Sequence, residues 1–200
     1  MVKQALNTIY CSMLHLLSHI SSNLQVTNLA AKAALEESFV QQQFCRNEWL
    51  IEAGKVCRHL YFIEKGCIRG YYVIDGKDLS QWFGFENDFV TSFRSYATKT
   101  MSTEYIQVVE DSVIWSISRE RLDELLVQFP ELERLVRLIY EHYYIRLEER
   151  YSNAHFQTAS GRYEDLLNKT PHILQRMPLG YVASYLGISA ETLSRIRGRK

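Results

Sequence analysis

YVASYLGISAETLSRIR, residues 181–197, decides how the C-terminal end of this chain folds. A helix-turn-helix needs a small residue where two helices cross, a glycine able to take the left-handed turn, and apolar residues that lock the second helix onto the first. Leu179 to Gly198 supplies each: Ala183 at the crossing, Gly187 at the turn and Leu193 as the anchor, with Val182, Leu186, Ile188 and Ile196 filling the remaining core positions. Ser189 is placed to cap the second helix. From there Ser189, Ala190, Glu191, Thr192, Ser194 and Arg195 stand at the end that would enter a DNA groove. Arg195 can donate bidentately to guanine and Glu191 can accept from cytosine, whereas Arg197, Arg199 and Lys200 suit phosphates. An ordinary two-helix corner with a solvated charged face is the competing reading.

Upstream, the spacing predicts a helix over 158–167 with Tyr163, Leu166 and Leu167 inward, then a loop or broken turn over 168–178 that holds two of the three prolines. A longer helix runs from Pro130 to about His155, apolar on two stripes. One is Leu132, Val136, Ile139, Tyr143 and Leu147; the other is Leu135, Leu138 and Ile145. A helix apolar on two sides needs two partners, so one stripe is expected on the preceding domain and the other on the same helix of a second subunit. Burial within one domain is the alternative. Before it, Ser118 caps a shorter helix that ends at Phe129-Pro130.

From Gln43 to Ser118 the texture turns to short runs rich in Val, Ile, Tyr, Phe and Trp, punctuated by glycine. LYFIEKGCIRGYYVIDGKD, residues 60–78, reads as strands bounded by Gly66 and closed by the Asp75-Gly76 hairpin pair. Leu79 to Phe85 should return antiparallel. Tyr105 to Val109 and Val113 to Ile117 follow, joined by Glu110-Asp111. A small β-barrel or jelly roll fits. The first forty residues are helical in period, with Leu6, Ile9, Tyr10, Met13, Leu14, Leu17 and Ile20 on one face and Thr27 capping a second helix through Glu37.

Lys plus Arg balances Asp plus Glu at 23 each, so no global field selects a polyanionic partner. The distribution is uneven: 7 basic residues against 3 acidic from Phe156 onward. Cys11, Cys45, Cys57 and Cys67 form no CxxC pair and read as reduced, buried residues. Of the six histidines only His59 lies in the barrel stretch, too few for a histidine-ligated metal, and no Ser, His and Asp arrangement marks a nucleophile. The expectation is no enzyme, no metal and no cofactor. No apolar run reaches the roughly 18 residues of a membrane span and no signal peptide is evident, so no membrane partner is expected and the cytoplasm is the expected compartment.

The helix-turn-helix string and the glycine-bounded strands together resemble the Crp/Fnr family of transcription regulators over nearly the whole chain. The resemblance implies an α+β architecture: N-terminal helices and a jelly-roll barrel of the cyclic-nucleotide-binding type (1–129), a long dimerisation helix (130–155), and a helix-turn-helix domain (156–200). It implies a homodimer on palindromic double-stranded DNA. The alternative is a module that binds a cyclic nucleotide or other small molecule and acts on a protein partner.

The chain departs from that pattern in three places. Thr91 and Ser92 stand where nucleotide-binding members carry Gly-Glu, and Ser102 stands where they carry the phosphate-binding Arg, so cyclic AMP would meet no cation unless Arg94 or Lys99 reached in. With Thr103, those residues mark the candidate ligand site, for an unidentified effector or none. Ala190 replaces an Arg found in some relatives. Finally, the sequence stops at Lys200 without a β-hairpin wing, which leaves backbone anchoring to the basic tail. The aromatic set Tyr71, Tyr72, Trp82, Phe83, Phe85, Phe89, Phe93 and Tyr96 could line a pocket for an apolar or planar ligand, although strand alternation makes half of it core.

Overall fold

The computed structural model of the chain describes residues 28–198. The helix expected over 6–20, the cap at Thr27, and Arg199 and Lys200 lie outside them. The first described helix, α1 (Leu29–Ser38), is capped by Asn28, whose side-chain oxygen accepts from the backbone N–H groups of Ala30 and Ala31 at 2.9 and 3.2 Å.

The middle of the chain holds β1 (Val40–Phe44), β2 (Trp49–Ile51), β3 (His59–Lys65), β4 (Ile68–Ile74), β5 (Lys77–Gly84), β6 (Phe89–Val90), a short helix α2 (Phe93–Thr98), β7 (Tyr105–Val108) and β8 (Ser112–Ser118). They form two four-stranded antiparallel sheets, ordered β1-β8-β3-β6 and β2-β7-β4-β5. Asp75 and Gly76 close the β4–β5 hairpin with φ of 51° and 73°, the double left-handed turn that matches strand twist. The runs on either side of Glu110-Asp111 do not pair with each other. β7 joins β2 and β4 while β8 joins β1 and β3, so the short link crosses from one sheet to the other.

β3 shows why its sequence reads as an unbroken apolar run. Tyr61 and Ile63 point between the sheets, onto Ile68, Ile106 and Ile114, whereas Leu60 and Phe62 point to a second core built with helices. A strand buried on both faces has no polar alternate. The helices of that second core are α1, α3 (Arg119–Gln128) and the start of α4 (Glu133–Phe156), which follows a single helical turn at Pro130–Leu132. Ser118 caps α3 as expected, its hydroxyl accepting from Arg121 N–H at 3.1 Å.

The stripes expected on α4 are redistributed. Leu132, Leu135 and Ile139, drawn from both stripes, are buried on the barrel. Beyond Ile139 the helix leaves Tyr140, Tyr144, Leu147 and Tyr151 exposed at 38%, 66%, 50% and 62%, with Tyr140 still edge-on to Phe93. Their steps of four, three and four residues are those of a heptad seam.

The chain ends with α5 (Ala159–Lys169), capped by Thr158, a one-turn helix α6 (Ile173–Arg176) inside the expected loop, α7 (Leu179–Tyr185) and α8 (Ala190–Arg197). Their core of Tyr163, Ile173, Met177, Val182, Leu186 and Leu193 is continuous with Cys67, Phe83 and Val109 of the barrel. Among the described residues, no helix is long and apolar enough to cross a membrane.

Candidate nucleic-acid interface and barrel pocket

The α7–α8 corner is built as its sequence requires. Ala183 and Leu193 are 3% and 1% exposed, and Gly187 takes φ 65°. That left-handed step lets Gly187 N–H reach Ser184 O at 3.1 Å and Ile188 N–H reach Ala183 O at 3.1 Å, closing the end of α7. Ser189 caps α8, its hydroxyl accepting from Thr192 N–H at 3.2 Å. Ala190, Glu191, Ser194, Arg195 and Arg197 are exposed along α8, and Thr192 is half-buried beside the cap. The Ser189 hydroxyl, a backbone N–H and Arg195 one turn on hold the Glu191 carboxyl below the usual carboxylate range, so it is ionised and an acceptor at neutral pH.

The basic excess of this end divides by role. Arg162 donates from Nε and Nη2 to Leu186 O at 3.1 and 2.9 Å, and from Nη1 to Gln157 O at 2.8 Å, so it is a cap for α7. Lys169 pairs with Glu149 at 2.6 Å. Arg176 donates to both oxygens of Glu86 at 2.7 Å and pairs with Glu110. Of the described cations there, Arg195 and Arg197 remain presented to solvent on the outer face. The uneven distribution of basic residues does not by itself divide them; the fold separates structural from displayed charge.

The helical module is docked on the barrel. Ser184 accepts from Ser80 N–H at 2.9 Å and donates to Asp78 O at 2.8 Å, satisfying backbone groups of the edge strand β5. The fully buried Arg69 guanidinium lies between the rings of Tyr71 and Tyr181, at 3.9 and 3.6 Å, and donates to Asp78 and Gln107. No motif announced these residues; a lone Arg inside a strand run was the available signal.

The candidate ligand residues do not act as one set. Ser92 and Ser102 are buried and share a hydrogen bond of 3.0 Å. Thr91 is buried on the lining of the pocket beside Glu104, donating to His59 O at 2.9 Å, and Thr103 is exposed. Arg94 and Lys99 face solvent. Below the two serines lies Glu104, 8% exposed, its carboxylate accepting from Trp82 Nε1 at 3.1 Å. Burial raises its pKa, partly offset by hydrogen bonds from Ser92 and Trp82. A pocket of about 140 Å³ opens beside it, walled by Tyr72, Trp82, Phe89, Phe93 and Tyr143. Of the aromatic set named from sequence, four residues line it, while Tyr71, Phe83 and Tyr96 are core. Among the described residues no three His, Cys, Asp or Glu side chains gather as metal ligands would.

The model of the cyclic nucleotide-binding domain matches residues 41–129. The chain is 26% identical over 166 residues to the fumarate and nitrate reduction regulatory protein of Vibrio cholerae, covering 77% of this chain and 66% of that protein. It therefore spans just under two thirds of that relative's length. The fold is similar to FixK2 of Bradyrhizobium japonicum, with TM-score 0.71 at 15% identity over 80% of this chain and 83% of that one. It is also similar to a transcriptional regulator of the Crp/Fnr family from Eubacterium rectale, with TM-score 0.67 at 15% identity over 88% and 83% of the two chains. With a jelly roll that matches the cyclic nucleotide-binding domain, a long helix and a capped helix-turn-helix in that order, the chain shares the fold of a regulator of the Crp/Fnr family.

Proposed function

We propose that the chain is a sequence-specific DNA-binding transcription regulator that acts as a homodimer on palindromic sites in the cytoplasm. The observation that carries this is α8: a helix capped by Ser189, seated through Leu193, and showing Glu191, Ser194, Arg195 and Arg197 on its outer face. Arg195 and Glu191 read bases, and Arg197, with Arg199 and Lys200 beyond it, contacts phosphates. Residues 1–129 form the sensor unit, 130–155 the joining helix and 156–200 the reading unit. Tyr140, Tyr144, Leu147 and Tyr151 supply the seam between two α4 helices, and this two-fold sets half-sites about 34 Å apart, one turn of DNA. Relatives named as regulatory proteins support the same reading.

Cyclic AMP is not the signal in this proposal, because a buried carboxylate, Glu104, hydrogen-bonds at the site where a phosphate would need a cation. The test of DNA binding is titration of a selected palindromic duplex at several salt concentrations. Arg195→Ala should weaken it by about 1–3 kcal/mol and relax the preference at one base pair. Truncation of Arg197 to Lys200 should lower the salt slope. Affinity that ignores both ionic strength and Arg195→Ala would overturn the reading.

A further inference from the structure

Glu104 poses a problem that the protein's own side chains leave open. Its carboxylate is 8% exposed and accepts from Trp82 Nε1 and from Ser92, yet among the described residues it takes part in no ion pair. A carboxylate can accept about four hydrogen bonds, and burying its charge without a cation is costly. Three arginines, Arg94, Arg146 and Arg150, stand on the lining of the same pocket, and two of them are engaged by other partners. Arg146 donates to Phe83 O at 2.6 Å and pairs with Asp88, Arg150 is bound to Gln81, and Arg94 is exposed at the mouth beside His142, also exposed.

The wall nearest that carboxylate is aromatic, with the arginines toward the rest of the lining. Phe93 and Tyr143 stack at 3.8 Å and 22°, bringing α2 against α4, and Tyr72 and Trp82 form the barrel wall. Gly70 permits this arrangement: a Cβ there would lie 2.1 Å from the Trp82 indole. Aromatic faces beside an acidic group favour a positive charge attached to a flat apolar body. About 140 Å³ suits one small ring.

We propose that this pocket binds a compact aromatic amine, with its ring between Trp82 and Tyr143 and its ammonium donating to Glu104. Tyr185 of α7 lies at the rim, its ring 5.1 Å from Phe83 and under the Arg150 guanidinium at 5.3 Å. Occupancy therefore touches the barrel, α4 and the first helix of the helix-turn-helix together. As the signal of a regulator this ligand rests on the reading above; as a bound molecule it does not.

The experiment is calorimetry on the full chain without DNA, using phenethylamine, benzoate and phenol as probes. Phenethylamine should bind saturably and quench tryptophan fluorescence, with benzoate silent and phenol weaker than the amine. Glu104→Gln, which keeps an acceptor for Trp82, should weaken the amine by at least about tenfold, and Trp82→Phe should abolish the quench. No saturable amine binding to the unaltered protein, benzoate binding as well as the amine, or a folded Glu104→Gln variant with unchanged affinity would each overturn the proposal. The comparison of probes on the unaltered protein holds even where a variant fails to fold. Because DNA is absent, failure here leaves DNA recognition standing, and the converse.

Discussion

Arg176, in the one-turn helix before the helix-turn-helix, donates from both terminal nitrogens to the two oxygens of Glu86 in the barrel, each at 2.7 Å. The same guanidinium reaches Glu110, and Glu86 in turn accepts from Gly66 N–H at 2.9 Å. A planar donor spanning a carboxylate fixes orientation as well as distance, so this contact sets how the helical module sits on the barrel.

That contact is sensitive to acid. Burial pushes the Glu86 carboxyl up, but the hydrogen bonds from Arg176 and Gly66 outweigh it and hold the pKa at about 2, against an ordinary value of 4.5. A folded-state pKa below the unfolded one contributes stability that is complete above about 4.5 and is lost as pH falls toward about 2. Thermal unfolding across that window should show the loss, and Glu86→Gln should remove its share of it. At pH 7, Arg176→Ala should cost about 1–2 kcal/mol by denaturant unfolding, since the pair is only partly buried. An unchanged acid limb in Glu86→Gln would show that other carboxylates govern it.

Gly70→Ala should destabilise the barrel by about 1–3 kcal/mol. The added methyl would sit 2.1 and 2.3 Å from atoms of the Trp82 ring, which is held in place by its hydrogen bond to Glu104. The readouts are the unfolding midpoint and a shift in tryptophan emission. A neutral effect would mean that the indole can swing aside freely, and that the pocket wall is less fixed than its geometry indicates.

Tyr144→Glu combined with Leu147→Glu should convert dimer to monomer in sedimentation experiments while leaving the unfolding midpoint of the barrel in place. Both side chains are at least half exposed on α4, outside the core that Leu132, Leu135 and Ile139 enter. Adding like charge to both sides of a two-fold seam places the charges face to face. A dimer that survives the double change would move the interface to another surface.

Short-range chemistry made much of this chain legible from its residues. The Asp75-Gly76 turn, the Ser118 and Ser189 caps, and the left-handed step at Gly187 each depend on atoms within a few positions of one another. Periodicity likewise separated barrel strands from the helices that follow. Boundaries were less secure where two signals compete: Asn28 rather than its neighbour caps α1, and an isolated turn of helix forms inside the stretch before Pro178.

Composition and order of residues by themselves determined a jelly roll, a long helix and a helix-turn-helix with Glu191 and Arg195 outward. They could not assign Arg162, Lys169 and Arg176 to structural partners, since the contact of Arg176 with Glu86 spans 90 positions. Nor could they choose which stripe of α4 stays exposed, or join Glu104 to Trp82 in one pocket. Those outcomes belong to the tertiary structure, because ion pairs, seams and pockets arise where separately formed elements are packed at particular angles, and no local pattern encodes that angle.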